Sequence, residues 1–414
     1  MDAINATQAH RAVSMESDNG ARRLRITWSD GRQSAFPYIW LRHCLYHPAA
    51  GRENQEPDQA CLLTEDPAIP RIKEVRSTEG SVEIEWSHDA TKTVHSLDWL
   101  RDNCISPEAR AERRRLPRLW GKREANDFPW FTFERLEDPE HRLALFVQVR
   151  DYGLALVRGV PVESGQVREV ARWFGPLRTT HFGDLFDVRS KPEDQLGTGA
   201  NIGGTQANAQ APHTDETWRH SPPGISFFHC LKPDQAGRGA SVYIDGIAAA
   251  ERLRSSNPEA FSLLTAVPVL WAAERNPQER FRARGRAIAT DIDGIIRGVR
   301  VSDRTLPPLD LPEDLIEPIY AALAAFKVEL YDYDHALERV LQAGECSVFD
   351  NHRVLHTRRS FDKQSGERWL QQVSVDREEF HSQLRQLAQV QGLTADAWFE
   401  QDGGALAQSL MLAH

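Results

Sequence analysis

Two short segments constrain this chain more than any other feature. They are His213-Thr214-Asp215 and, about 140 residues later, the run Phe349-Asp350-Asn351-His352-Arg353-Val354-Leu355-His356. In an extended strand successive side chains alternate faces, so His213 and Asp215 point the same way. A third ligand, His356, reaches them only if the fold brings a distant strand alongside. Two histidines and one carboxylate on one face of an octahedron leave three positions open. That is the arrangement of non-haem iron(II) oxygenases, not of a closed structural site.

A His-x-Asp tripeptide alone says little in a chain with 15 His and 60 acidic residues. Its weight comes from Arg368, a dozen positions beyond His356, on a segment that reads as the next strand (Trp369-Leu370-Gln371-Gln372-Val373-Ser374-Val375). A guanidinium pairs with a carboxylate through two parallel hydrogen bonds, which suits a dicarboxylate lying across a metal.

These segments resemble the 2-oxoglutarate-dependent dioxygenases, in particular the γ-butyrobetaine hydroxylase and trimethyllysine dioxygenase group, with taurine dioxygenase more distant. The likeness runs from His213-Thr214-Asp215 to Ser221-Pro222-Pro223-Gly224 and Phe228-His229-Cys230-Leu231. It resumes at Gly239-Ala240-Ser241, at Asp245-Gly246, and from Phe349-Asp350-Asn351 through His356 to Arg358. The resemblance implies a mixed α and β chain: a small β-rich N-terminal domain, then a double-stranded β-helix (jelly-roll) catalytic domain flanked by helices. It implies Fe(II) held by His213, Asp215 and His356, and 2-oxoglutarate as cosubstrate with its distal carboxylate on Arg368. Dioxygen is the further reactant, and succinate and CO2 are products. Relatives of this kind are often homodimers, and a homodimer is the corresponding expectation.

Length and pattern place the boundaries. At 414 residues two domains are expected. Residues 1–20 are polar and read as a disordered tail, 21–125 as the N-terminal domain, 126–395 as the catalytic domain and 396–414 as a C-terminal tail. Leu24, Ile26 and Trp28 alternate, as do Val82, Ile84 and Trp86, and each run leads to a Trp-Leu-Arg segment (40–42 and 99–101), so the first domain carries an internal echo. A basic run from Arg110 to Arg123 reads as the connection. Helical spacing is present at 140–149, 167–174, 258–264, 315–331 and 378–387, and strands at 154–161, 225–229, 241–244 and 345–350. The Gly- and Asn-rich stretch 179–212 reads as one long functional loop.

Composition excludes several classes. A net charge of -10 argues against a nucleic-acid partner, no apolar run reaches membrane-span length, and no secretory leader is visible. Five scattered cysteines suit reduced thiols in a cytoplasm. In the resembled group the N-terminal domain holds zinc through clustered cysteines and a later histidine. Here only Cys44, His47, Cys61 and His88 are available, and a structural zinc is not expected.

The substrate pocket departs from the resembled pattern. The family's trimethylammonium cage, a cation–π site, maps onto Phe182 and Phe186, but its other two positions fall at Thr205 and Ser374. Asp184 is a candidate partner for an ammonium group, Asn201 for a carboxylate, and Arg300 for an anionic group. Trp218 and Trp369 are candidates to line the pocket. The reading is hydroxylation of an aliphatic C–H in a small zwitterionic molecule. The alternatives are γ-butyrobetaine hydroxylase proper, a zinc hydrolase on the same ligands, or a non-catalytic scaffold.

Overall fold

The computed structural model describes residues 11–44, 66, 68–78, 80–113, 116–181, 183–189, 210–234, 237–274, 280–360 and 368–393. The chain forms two compact units, Met1–Arg115 and Leu116–His414. No helix among the described residues is long and apolar enough to cross a membrane.

The first unit is built twice from one pattern. Strands β1 (Ala12–Asp18), β2 (Arg23–Trp28) and β3 (Gln33–Pro37) form an antiparallel sheet followed by the helix Tyr38–Cys44. Strands β4 (Ile72–Thr78), β5 (Ser81–Trp86) and β6 (Lys92–Ser96) repeat it and lead into the helix Leu97–Asp102. The alternating Leu24, Ile26, Trp28 and Val82, Ile84, Trp86 are all buried in one core. Each indole N–H donates to a hydroxyl on the following strand, Trp28 to Ser34 (2.7 Å) and Trp86 to Thr93 (3.1 Å). The halves are cross-clasped. Arg42 of the first helix lies over the Trp86 ring and donates to Asp89 (2.9 Å), while Arg101 of the second lies over Trp28 and donates to Asp30 (2.5 Å). Residues 12–18, assigned to the tail on their polarity, are instead β1, because the backbone pairing with β2 asks little of its side chains. His47, Cys61 and the side chain of Cys44 lie outside the described residues; His88 sits against Trp86, 3.4 Å from Asp89.

The second unit begins before residue 125. Trp120 and Phe128 already belong to its core, packed with Tyr243 and Phe349. Its larger sheet runs in the order β7 (Trp130–Thr132), β8 (Leu154–Arg158), β17 (Cys346–Asp350), β10 (Ile225–Lys232), β19 (Trp369–Val375), β9 (Phe186–Arg189). A smaller sheet joins β16 (Leu337–Arg339), β11 (Ser241–Asp245) and β18 (Val354–Arg358). The hairpins β12 (Val269–Ala273) with β13 (Phe281–Gly285), and β14 (Ile288–Thr290) with β15 (Ile296–Val299), complete the strands. β9 falls within the stretch read as a loop, where it pairs with β19.

Alternation divides the side chains cleanly. Ile225, Phe227, Val348, Val373 and Val375 face outward against the helices Pro139–Tyr152, Val167–Ala171 and Arg377–Val390. The helix Pro139–Tyr152 starts on the Asp138 cap, which accepts the Glu140 N–H, and stops at Gly153 in the left-handed region (φ 72°). The outer side of the smaller sheet packs on the helices Gly246–Ser256, Pro258–Ala266 and Glu313–Leu330. Between the sheets lie Leu154, Phe228, Phe349, Tyr243 and Val354, with the Tyr243 hydroxyl donating to Ser347 (2.6 Å). Polar residues of the same inward phase line one end of this interior.

Candidate metal centre

His356 lies at the centre of β18 with Val354 and Arg358 on the same inward phase. His213 joins that strand by an isolated antiparallel bridge: its N–H donates to the His356 carbonyl (3.1 Å), and its carbonyl accepts the His356 N–H (3.0 Å). The two rings therefore meet with centroids 4.4 Å apart. Asp215, two residues on, projects the same way, and its Oδ1 lies 3.6 Å from Nε2 of each histidine. All three ligand atoms fall within 4.8 Å of one another. Among the described residues this is the cluster with metal-holding geometry, and its spacing suits ligands each roughly 2.1 Å from a single ion.

The protonation states fit as well. The His213 Nδ1 lies 3.0 Å from the Ala211 carbonyl, which only accepts, so Nδ1 is the donor there and Nε2 is the ring atom turned toward Asp215. The His356 ring is buried against Phe228 and Phe349, and burial pulls it down to about 4, so it is neutral at physiological pH. Two imidazoles and a carboxylate on one side of a point are the donor set an open-sided ferrous site requires.

Asp215 is held through its carboxylate and through its backbone. Gln372 donates its amide to Asp215 Oδ2 (2.8 Å). Asn351, in the turn between β17 and β18, accepts the Asp215 N–H (2.7 Å) and donates to the carbonyls of Asp215 (3.2 Å) and Pro223 (3.1 Å). That turn rests on the buried pair Asp350–Arg377 (2.8 Å). Gly224 is required here, since a Cβ on it would stand 2.1 Å from the Arg377 backbone nitrogen.

Two cavities that share part of their lining flank the ligands. One is lined by Arg368, Arg358, Ser241, Thr357 and Gln210 beside His213, Asp215 and His356. Arg368 and Arg358 are both buried; burial lowers both guanidinium pKa values, Arg358 to about 10 with the neighbouring Arg368 charge contributing. The other, on the far side of Asp215, is lined by Trp218, Arg178, Thr180, Glu216 and Ser374. Phe186, Arg304 and Gln372 line both.

The structure sorts the expected pocket residues. Arg368, Phe186 and Trp218 line the cavities. Asp184 reaches the rim, but Arg168 takes both its oxygens (2.7 and 2.9 Å) and holds its carboxyl below the usual range. Arg300 lies beneath the ligand-bearing loop, donating to the carbonyls of Thr217 (3.2 Å) and His220 (3.4 Å), with Gly285 against its guanidinium. Trp369 is on the opposite phase of β19 from Arg368; its ring carries Arg189 and its N–H goes to Asp187 (2.6 Å). Phe182, Asn201 and Thr205 lie outside the described residues. Sequence reasoning passed over Gln372 and Arg304, and met Arg358 only as the end of a motif. The phase Arg368, Leu370, Gln372, Ser374 was the signal available for the first.

Residues 112–374 match the family model described as taurine catabolism dioxygenase TauD, TfdA family. A γ-butyrobetaine dioxygenase of Pseudomonas sp. (strain AK-1) is 31% identical over 373 residues, covering 88% of this chain and 93% of that protein. The human γ-butyrobetaine dioxygenase is 27% identical over 391 residues, covering 90% of this chain and 96% of its own. A trimethyllysine dioxygenase of Meyerozyma guilliermondii is 27% identical over 411 residues, covering 91% and 96%. A family model matching well over half the chain, a relative above 30% identity along nearly all of it, and a His-Asp-His cluster of the right geometry place the chain in the TauD/TfdA family, as an Fe(II)- and 2-oxoglutarate-dependent dioxygenase.

Proposed function

We propose that the enzyme hydroxylates an unactivated C–H of a small zwitterionic substrate, with His213, Asp215 and His356 as the iron ligands and Arg368 as the anchor for 2-oxoglutarate. The observation that carries this reading is that Arg368, immediately before β19, lines the same cavity as all three ligands. The ferrous centre, with 2-oxoglutarate and dioxygen, supplies an oxidant strong enough for an aliphatic C–H and leaves succinate and CO2. The chain's own residues do the rest. His213 and His356 fix two coordination directions through their shared backbone bridge, Gln372 and Asn351 fix the third, and Phe228 and Phe349 shield the His356 side from water.

The cavity beyond Asp215 is the substrate side in this reading. Its rings, Phe186 and Trp218, suit a molecule with an apolar stem; of the arginines on its wall, Arg178 already pairs with Asp376. Ser374, on the same wall, leaves a trimethylammonium group short of ring faces, so γ-butyrobetaine is the second reading and a differently substituted amine the first. The facing sheets are taken as the family's double-stranded β-helix, and the first unit as its N-terminal domain. A reducing, cytoplasmic setting agrees with the free, buried Cys104, Cys230 and Cys346; a homodimer is the proposed assembly.

The test is succinate formation from 2-oxoglutarate under air, with and without Fe(II), across a panel of small betaines, amino acids and aminophosphonates. One class should stimulate turnover, and Asp215→Ala should abolish it. A zinc hydrolase or a scaffold would release no succinate under any of these conditions.

A further inference from the structure

We infer that Arg377, the first residue of the final helix, is a positioning residue for Asp215 and acts on it through Asp350 and Asn351. The inference rests on the proposed ligand role of Asp215 and reaches a residue that lines neither cavity beside the ligands. The chain of contacts runs through bonds already made. Arg377 Nη2 lies 2.8 Å from Asp350 Oδ2, while Asp350 Oδ1 accepts the His352 N–H (2.9 Å). One carboxylate therefore ties the helix to the turn between β17 and β18 and fixes the shape of that turn. Asn351 stands between these two residues and brackets Asp215 at both its N–H and its carbonyl. A second branch runs through the backbone. The Asn351 N–H donates to the Gly224 carbonyl (2.8 Å), and Gly224 lies directly against the Arg377 main chain. Arg377 also reaches sideways, its Nη1 donating to the Arg297 carbonyl on β15 (3.2 Å). From β15 the Val299 N–H returns to the same turn at the His352 carbonyl (2.7 Å). Every segment that aims Asn351 thus meets Arg377 or a direct partner of it.

Energetics separate positioning from support. A buried ion pair loses solvation that its own attraction only roughly offsets, so neutral residues of similar volume hold a fold as well. What they lack is direction. A planar guanidinium with acceptors on two different segments fixes how the turn faces the ligand, and groups behind a ligand set metal affinity. Docking of the helix comes from other residues. Phe380, Leu384 and Leu387 bury its apolar side against the larger sheet. Aiming and docking are therefore assigned to different residues of one helix, and each can be removed while the other stays.

The experiment compares Mn(II) affinity by calorimetry with melting temperature in the full-length protein, at a temperature well below every melting transition. The double variant Asp350→Asn/Arg377→Leu removes both charges together and leaves an oxygen for the His352 N–H. It should melt within about 3 °C of wild type, yet bind Mn(II) about 10- to 100-fold more weakly. Leu384→Ala should behave in the opposite way, melting at least about 5 °C lower with Mn(II) affinity within about twofold. The visible absorption bands of Co(II), which report ligand geometry, should change in the double variant and coincide with wild type in Leu384→Ala. Arg377→Lys keeps the charge and loses the fork, so its affinity should fall in between; it decides the question if the double variant does not fold. Unaltered affinity and bands in the variants of Arg377, or an equal loss of affinity in Leu384→Ala, would show that Arg377 only supports the fold. If wild type binds no Mn(II), or Asp215→Ala binds it as tightly as wild type, the ligand assignment fails first and this inference with it.

Discussion

Gln372 offers the sharpest test of how the metal ligand set is held. Its amide donates to the Asp215 oxygen that does not face the two histidines. Gln372→Leu keeps the volume and removes the donor, so the carboxylate loses one charge-assisted hydrogen bond. Such a bond contributes about 1.5–3 kcal/mol, and outer ligand partners commonly account for about 10- to 100-fold in metal affinity. Asp215 is partly open to solvent, with its side chain 22% exposed, so water replaces some of the loss and the expected effect is near the lower end, about tenfold. Mn(II) affinity, followed by the loss of the free-ion electron paramagnetic resonance signal, reads the variant directly, and its melting temperature checks that the fold is intact. A Gln372→Leu protein that binds Mn(II) within twofold of wild type would refute the reasoning.

Two further expectations concern stability. His229, His352 and His381 are buried and held neutral, with folded-state values of about 4, 4 and 3 because burial penalises the charged ring. Unfolding lets each take up a proton below about 6.5. Their contribution is therefore intact above that pH and lost as pH falls toward 4, by up to about 1.4 kcal/mol per unit for each histidine. Denaturant midpoints should drop steeply from pH 7 to 5 and less so in His381→Leu; midpoints flat over that range would contradict the assignment. Arg353 donates twice to the fully buried Asp245 (3.0 and 2.7 Å) and once each to the carbonyls of Asp151 (2.7 Å) and Arg118 (2.6 Å). Arg353→Met leaves that carboxylate with only the Trp120 and Ile247 N–H donors and no paired charge, and should cost about 3–5 kcal/mol in urea unfolding of the larger unit, whereas a loss below about 1 kcal/mol would show that those donors suffice.

What could be read from the chain follows a physical line. Period-two spacing placed His213 and Asp215 together, and the alternations ending at Trp28 and Trp86 foretold the repeated sheets, because burial on one face writes itself into every second residue. The phase of a strand buried on both faces is not written that way. In β19 the sequence offers Trp369 as a neighbour of the pocket and passes over Gln372, yet Val373 and Val375 pack against the helices and turn Trp369 outward. Asp184 looked available because its partner Arg168 comes from another element, and Arg300 because nothing local reveals that loop carbonyls will claim a guanidinium. β1 and β9 went unseen for a different reason. Both are edge strands held largely by backbone pairing, which leaves a weak pattern in residue types.

The reciprocal backbone bridge between His213 and His356 carries one last consequence. Because main-chain atoms, common to every amino acid, set the distance between the two imidazoles, replacements elsewhere on the cavity walls leave that spacing alone. Which molecules are admitted and where oxidation is generated thus become separately adjustable properties. A lineage can trade one guest for another by exchanging wall residues such as Ser374 while inheriting the reactive hub intact.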